Sequence, residues 1–322
     1  MEPCRIIDYA VEWRDKFRTY LQQTFPSYTK AYIDYCIDCS SGRVPSKIVL
    51  DENDKIVGCQ LYYCTTVMIK DEEMPTHWGH DTYLDKEYRG TFGLDFVLYL
   101  NQFKGFGLGL TSVNNKILTK QKKRFLDGVY TYYLINCFLP LSPFQRLFGI
   151  TPQLYDKEIL KVGRYVFRRI YDAKDMTIPN RGYWLKDIFD VDFIRDESFL
   201  NKRFIQNNVH KYLLYSMENE GEKCYFIVRK TRYHGVPAVT LCDFRYNNPD
   251  LVNVILKAFR KIAIKSTVGV LLFVCGDTFV EKCVSKTVNY KSHLDFVVNK
   301  KVSSDMSFCI TGADSDADFL KE

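Results

Sequence analysis

The chain contains no run of 18 consecutive apolar residues, which excludes a membrane-spanning helix of ordinary length. Its first residues, Met1-Glu2-Pro3-Cys4-Arg5, lack the apolar centre of a secretory leader, so a cytoplasmic protein without a membrane partner is expected. Charge of one sign is also scarce. Lys and Arg total 45 against 39 Asp and Glu, a formal net charge of +6. That is too mild for the concentrated basic stripe of a nucleic-acid binder, and nucleic acid is not an expected partner. Paired cysteines are missing as well. The eleven cysteines are an odd number scattered through strand-like and helix-like stretches, as at Cys59, Cys64, Cys224 and Cys275, and read as reduced core thiols. Cys36-x-x-Cys39 is the one CxxC in the sequence, without a second pair or a suitable histidine, so no metal site is expected.

What is present is core material. Hydrophobic residues make up 46% and charged residues 26%, the balance of a globular chain, and 322 residues suffice for two domains. The 23 Tyr and 23 Phe supply both core and stacking surface.

One stretch, His77 to Phe103, organises the rest. A strand-like segment from His77 to Leu84 meets a charged turn, Asp85 to Arg89. A bend from Gly90 to Gly93 then opens a largely apolar run from Leu94 to Phe103. Strand, tight loop and helix N-terminus in that order make an anion site, because the first helical N–H groups have no internal partner and the helix dipole is positive there. Gly90 and Gly93 can take positive φ and let a phosphate approach the backbone closely.

His80-Asp81-Thr82-Tyr83-Leu84-Asp85-Lys86-Glu87-Tyr88-Arg89-Gly90 resembles motif A of the GNAT (Gcn5-related) N-acyltransferases, E-D-L-Y-V-x-P-E-Y-R-G-x-G-x-G. Asp81, Tyr83, Glu87, Tyr88, Arg89 and Gly90 are identical. Phe92 and Leu94 stand at the second and third loop glycines, with Gly93 between them. The resemblance implies an acyl-CoA-dependent N-acyltransferase, with acetyl-CoA as co-substrate, no metal, and an amine of a small molecule or sugar as acceptor. By the same resemblance Tyr83, Leu84, Arg89, Gly90, Thr91, Phe92, Gly93, Leu94 and Asn115 are the cofactor-binding positions. Lys116, Lys120, Lys122, Lys123 and Arg124 form either a solvated helix face or an attractor for the CoA phosphates.

The candidate catalytic residues are His80 and Asp81. His80 stands where the family form has a carboxylate, and a histidine titrating near neutrality suits a base. Strand alternation puts Asp81 on the face opposite His80, so strand geometry alone does not pair them, and His77 also lies opposite His80. The tyrosine that many family members use as acid would fall at Lys122, which leaves Tyr130, Tyr132 and Tyr133 open as donors. Arg164, Arg168 and Arg169 are candidates for an anionic acceptor. Aromatics at Tyr28 to Tyr35 and Tyr130 to Phe138 would wall the acceptor pocket. Two other readings follow from the same resemblance: a catalytically silent binding module of this fold, and a Fem-like aminoacyl-tRNA-dependent transferase.

The elements of the first half run β-α-α-β-β-β-α-β-α-β, the family layout, and from Asp196 the order α-β-β-α-β-α-β-β echoes it. The expected fold class is α/β (α+β), with two tandem GNAT-like domains, each a mixed, mostly antiparallel central sheet flanked by helices. The expected divisions are 1–139 for the acyl-CoA-binding domain, 140–195 for a proline-bearing connector, 196–312 for the second domain and 313–322 for a solvated acidic tail. Asn248-Pro249 is expected to cap and begin a helix through Lys265. The matching turn of the second half, Asp243 to Pro249, has no glycine, so the first half is the expected CoA binder.

Overall fold

The computed structural model describes residues 4–40, 44–100, 106–110, 125–136, 141–149, 152–284, 290–298, 306–307 and 309–314. They divide into two compact units. The first comprises Met1–Val67, Glu72–Leu126 and Phe296–Ser304, and the second the remainder. Asn115 and the basic run 116–124 lie outside the described residues, as do 315–322. No described helix is long and apolar enough to cross a membrane.

In the first unit β1 (Arg5–Asp8) is followed by α1 (Arg14–Thr24), α2 (Lys30–Ser40), β2 (Lys47–Leu50), β3 (Ile56–Ile69), β4 (Glu72–Leu84), α3 (Thr91–Leu100) and β5 (Phe106–Leu110). The strands lie in sequence order. β1, β2 and β3 are antiparallel. β4 and β5 are parallel, and Phe296–Val298 of the last strand pairs antiparallel with β5. Burial is nearly continuous along β3, where β-branched and aromatic residues suit a strand covered on both faces. Lys70 and Asp71 both take positive φ at the tight turn from β3 to β4. At Gly58 a Cβ would fall 2.7 Å from Leu84 Cδ1 and 3.0 Å from the Tyr83 carbonyl oxygen, so the end of β4 packs directly on bare backbone.

The second unit contains β6 (Phe125–Asn136), α4 (Leu141–Leu147), β7 (Ile159–Val162), β8 (Tyr165–Ile170), β9 (Val191–Phe193), α5 (Glu197–Leu200), β10 (Tyr212–Asn219), β11 (Glu222–Tyr233), β12 (Val236–Tyr246), α6 (Leu251–Lys265), β13 (Val270–Cys275), α7 (Thr278–Val284) and β14 (Tyr290–Val298). Its sheet runs β6-β13-β12-β11-β10-β8-β7. β12 and β13 are parallel, and the other neighbouring strands of this sheet are antiparallel. α6 buries Leu251, Val252, Ile255, Ala258, Phe259, Ile262 and Ala263, the three-and-four spacing of one helical face.

Several expectations change here. The stretch 140–195 carries α4 and the β7–β8 hairpin, with Phe167, Leu185 and Val191 fully buried, and so builds core rather than merely connecting. Strand Phe125–Asn136 begins directly after the basic run 116–124. α6 starts at Leu251, with Asp250 as the cap residue. Asn248 Oδ1 instead accepts from the Asp250 N–H at 3.0 Å, a turn made before the helix. Asp314, expected in a solvated tail, is buried and paired with Arg195 at 2.6 Å.

Candidate active site

β4 and β5 run side by side from Thr76 opposite Phe106 to Gly79 opposite Gly109. His80 is the next residue, and Asp81 after it takes φ +49°. An aspartate tolerates the left-handed region because its short side chain hydrogen-bonds locally. That one residue breaks strand alternation, and here the structure corrects the sequence: His80 and Asp81 meet, with Nδ1 and Oδ2 3.0 Å apart. The irregular backbone is held from β3. Gln60 Nε2 donates to the His80 carbonyl at 2.9 Å and to the Leu61 carbonyl at 2.9 Å, while Gln60 Oε1 accepts from the Thr82 hydroxyl. Cys59 Sγ lies 3.7 Å from the Asp81 carbonyl oxygen.

The pair is buried, with side chains 3% and 14% exposed. The His80 ring stacks on Tyr63, centroids 4.3 Å apart and planes 12° apart. The second Asp81 oxygen accepts from the Tyr28 hydroxyl at 2.7 Å. Tyr28 in turn packs edge-on to Tyr32, whose hydroxyl is 3.2 Å from that of Tyr63. Helix α2 and the loop before it therefore bring the expected aromatic wall to the histidine. A carboxylate can only accept, so the proton on Nδ1 points at Asp81 and Nε2 carries the lone pair. Nε2 is buried and has no hydrogen-bond partner among the described residues. His77 differs. It is packed against Tyr62, and burial pushes its imidazole down to about 3, with Lys47 adding to the effect.

Beyond β4 the loop is compact. The Asp85 N–H donates to the Val57 carbonyl at 2.8 Å, and Arg89 Nε donates to the Leu84 carbonyl at 2.7 Å. The Arg89 guanidinium lies over the Tyr83 ring at 5.2 Å. Burial raises the Asp85 carboxyl above its usual range, opposed by the Tyr20 hydroxyl that donates to it at 3.2 Å. Leu84 packs with Val49, Val57 and Phe96, and Phe92 lies against this cluster. Thus Phe92, at a family glycine position, serves the core, while Leu94 is 51% exposed.

Neither Gly90 nor Gly93 uses its freedom to adopt positive φ, because the chain is already turning into α3 there. Their lack of a side chain leaves space instead. A Cβ on Gly90 would meet nothing within 4 Å, and one on Gly93 only Leu84 Cδ2 at 3.8 Å. That open approach to the first turn of a ten-residue helix suits an anion. Tyr83, Leu84, Arg89, Gly90, Thr91, Phe92, Gly93 and Leu94 thus follow His80 and Asp81 along one strand–loop–helix path, from which Asn115 is outside the described residues.

Other candidates go elsewhere. Tyr133 is buried in the second unit against Phe273, centroids 4.8 Å apart. Arg169 donates to the carbonyls of Ile170, Leu214 and Tyr212 and pairs with Asp156, which commits it to holding β8 on β10. Sequence reasoning missed Tyr28 as the hydrogen-bond partner of Asp81 and Gln60 as the clasp of the bulge. Among the described residues no group of three or more His, Cys, Asp or Glu could hold a metal ion.

No family model matches the sequence, and no curated protein matches it significantly. Solved structures do match. A GCN5-related N-acetyltransferase from Anabaena variabilis, 9% identical, superposes with a TM-score of 0.55 over 91% of this chain and 72% of its own. The chain has the GNAT fold. A probable N-acyltransferase from Enterococcus faecalis is 12% identical with a TM-score of 0.58, covering 92% of this chain and 72% of its own. The N-myristoyltransferase of Saccharomyces cerevisiae, solved with bound myristoyl-CoA, is 10% identical with a TM-score of 0.56, covering 93% and 83%. At such identities the likeness is one of GNAT fold, carried by backbone arrangement rather than by shared side chains.

Proposed function

We propose that the chain is an acyl-CoA-dependent N-acyltransferase, with acetyl-CoA as donor, a small-molecule amine as acceptor and His80 as base. One observation carries this reading. A buried histidine, oriented by a carboxylate through Nδ1 and unpartnered at Nε2 among the described residues, sits one residue past Gly79, the last residue of β4 paired with β5 among the described residues. The large majority of buried side-chain polar atoms are hydrogen-bonded. Acyl-CoA supplies the activated thioester when bound. The chain supplies the rest. The positive end of α3 and the exposed Arg89 head favour phosphate, and the bare Gly90 leaves it room. His80 Nε2 accepts the proton that an ammonium must lose before it can attack. Asp81 stabilises the resulting imidazolium, and Tyr28 fixes Asp81.

Calorimetric titration with acetyl-CoA and with CoA tests the reading, with Gly90→Trp alongside. Micromolar binding by the protein and none by the variant is expected. Because a Cβ at Gly90 touches nothing, the variant should keep its fold. No binding at millimolar acetyl-CoA would overturn the proposal and favour a silent binding module.

A further inference from the structure

We infer that residues 306–307 and 309–314 are a built-in occupant of the second unit's strand opening, so that the chain offers one acyl-CoA site and not two. The count of one rests on the function proposed above; the occupancy does not.

The second unit, like the first, contains one pair of parallel strands among its described residues. Strands β12 and β13 run in parallel from Ala238 opposite Val270 to Leu241 opposite Phe273. The register on β11 then slips between Ile227 and Val228, which leaves Cys242 unopposed, and the β12–β13 pairing ends at Leu241. Past that point β13 takes a different neighbour. Cys275 bridges Thr311 in antiparallel fashion, and the Gly276 N–H donates to the Ile310 carbonyl at 2.8 Å. On the other side the Thr311 hydroxyl donates to Asp243 Oδ1 of β12 at 2.6 Å. Residues 310 and 311 thus contact both parted strands.

The occupant is fastened by buried charge. Arg195 Nε donates to Asp243 at 2.9 Å and its Nη2 to Asp314 at 2.6 Å. Arg245 Nη1 donates to Asp243 at 3.0 Å, and its Nη2 lies 3.7 Å from Asp314. All four side chains are at most 1% exposed. Asp314 also accepts from the Thr311 N–H at 2.9 Å, closing the end of the segment on itself. Upstream, the Ser307 N–H and hydroxyl both donate to Asp190 at 2.8 Å, and the Val191 N–H donates to the Ser307 carbonyl at 3.1 Å. A ligand entering this opening would have to displace both attachments and take Asp314 away from two buried guanidinium groups, leaving them to share Asp243.

The neighbouring helix start is equally unsuited to phosphate. Pro249 has no N–H, and Asp250 places a carboxylate at the cap of α6. In the first unit the matching position is the bare Gly90.

Hydrogen exchange on the intact protein, with and without saturating acetyl-CoA, decides the matter. Amides of Thr311 and Asp314 should exchange at least about a hundredfold more slowly than unprotected amides, and acetyl-CoA should not change them. Calorimetry should give one site per chain, and Gly90→Trp none. Rapid exchange at 311–314, a change there on adding acetyl-CoA, or residual binding by Gly90→Trp would overturn the inference. If the intact protein binds no acetyl-CoA, the proposed function fails, while protection at 311–314 still reports on the occupant by itself.

Discussion

Replacing Asp81 with Asn changes one oxygen to an NH2 group and leaves volume and shape alone. The Tyr28 hydroxyl, 2.7 Å from Oδ1, needs an acceptor and will hold the Asn carbonyl, which turns the NH2 toward His80 Nδ1. Nδ1 must then accept, its proton moves to Nε2, and the lone pair needed for the amine proton is gone. The charge effect adds to this. An imidazolium and a carboxylate about 4 Å apart attract by about 4 kcal/mol at an effective dielectric constant near 20. With side chains only 3% and 14% exposed, solvent screens little of that. Loss of roughly 4 kcal/mol from the transition state lowers the rate about a thousandfold. Thiol release from acetyl-CoA with amine acceptors measures the rate, and imidazole 15N shifts measure the tautomer. A wild-type proton on Nε2, or a variant within tenfold of wild type, would refute the base assignment.

Tyr28→Phe removes a hydrogen bond to a carboxylate, a kind of contact contributing about 1.5–3 kcal/mol, and should lower acyl transfer by about tenfold or more. Its KM for acyl-CoA should stay unchanged; a shift in KM alone would place Tyr28 in binding instead. Gly58→Ala puts a methyl 3.0 Å from the Tyr83 carbonyl oxygen, which backbone cannot easily yield, and should cost about 1–3 kcal/mol in urea unfolding. An unchanged midpoint would show that the end of β4 moves freely. Burial, partly offset by Arg245, raises the Asp192 carboxyl from 3.8 to about 6. Between those values the folded state holds a proton that the unfolded state has released, so this group's contribution to stability falls as pH rises through the window. Asp192→Asn should therefore gain on wild type by about 2 kcal/mol from pH 4 to pH 6, and a constant difference in urea unfolding would count against it.

What could be read in the sequence was what neighbours in the chain determine. The alternation of β4, the turn at Asp85 and the start of α3 are all written in adjacent residues, and the structure places them within a few positions. The His80–Asp81 contact was not legible, because φ at Asp81 is supported by Gln60 from another strand. Arg169 misled for a related reason. An arginine on a strand resembles an anion binder until the partner strand supplies the Leu214 and Tyr212 carbonyls that consume its donors. Asp314 sits among acidic residues that read as solvated, and its two arginine partners, Arg195 and Arg245, come from distant parts of the chain. Local composition carries no signal for such a buried pair. The β7–β8 hairpin escaped because its two short strands sit in a stretch marked by prolines and arginines rather than by clean alternation.

The two units differ in how the polar groups beside their parallel strands are met. Parting two parallel strands releases backbone groups from a ladder, and those groups must find partners when buried. In the second unit the partners come from the chain itself: Ile310 accepts from Gly276, and Thr311 reaches both Cys275 and Asp243. Its carboxylate beyond the bulge, Asp243, is saturated by two arginines, a threonine and the Tyr225 hydroxyl, so no acceptor capacity is left for a substrate proton. In the first unit the carbonyl beyond the parting is met by Gln60, but the side chain there is an imidazole whose outer nitrogen is unmatched among the described residues. A bulge that merely closed a sheet would gain nothing from a desolvated lone pair, which carries a cost unless something donates to it. An incoming ammonium is such a donor. Saturated polar groups thus make the second unit's bulge a locked joint, whereas the base proposed for the first unit would use the imidazole nitrogen that is unmatched there among the described residues.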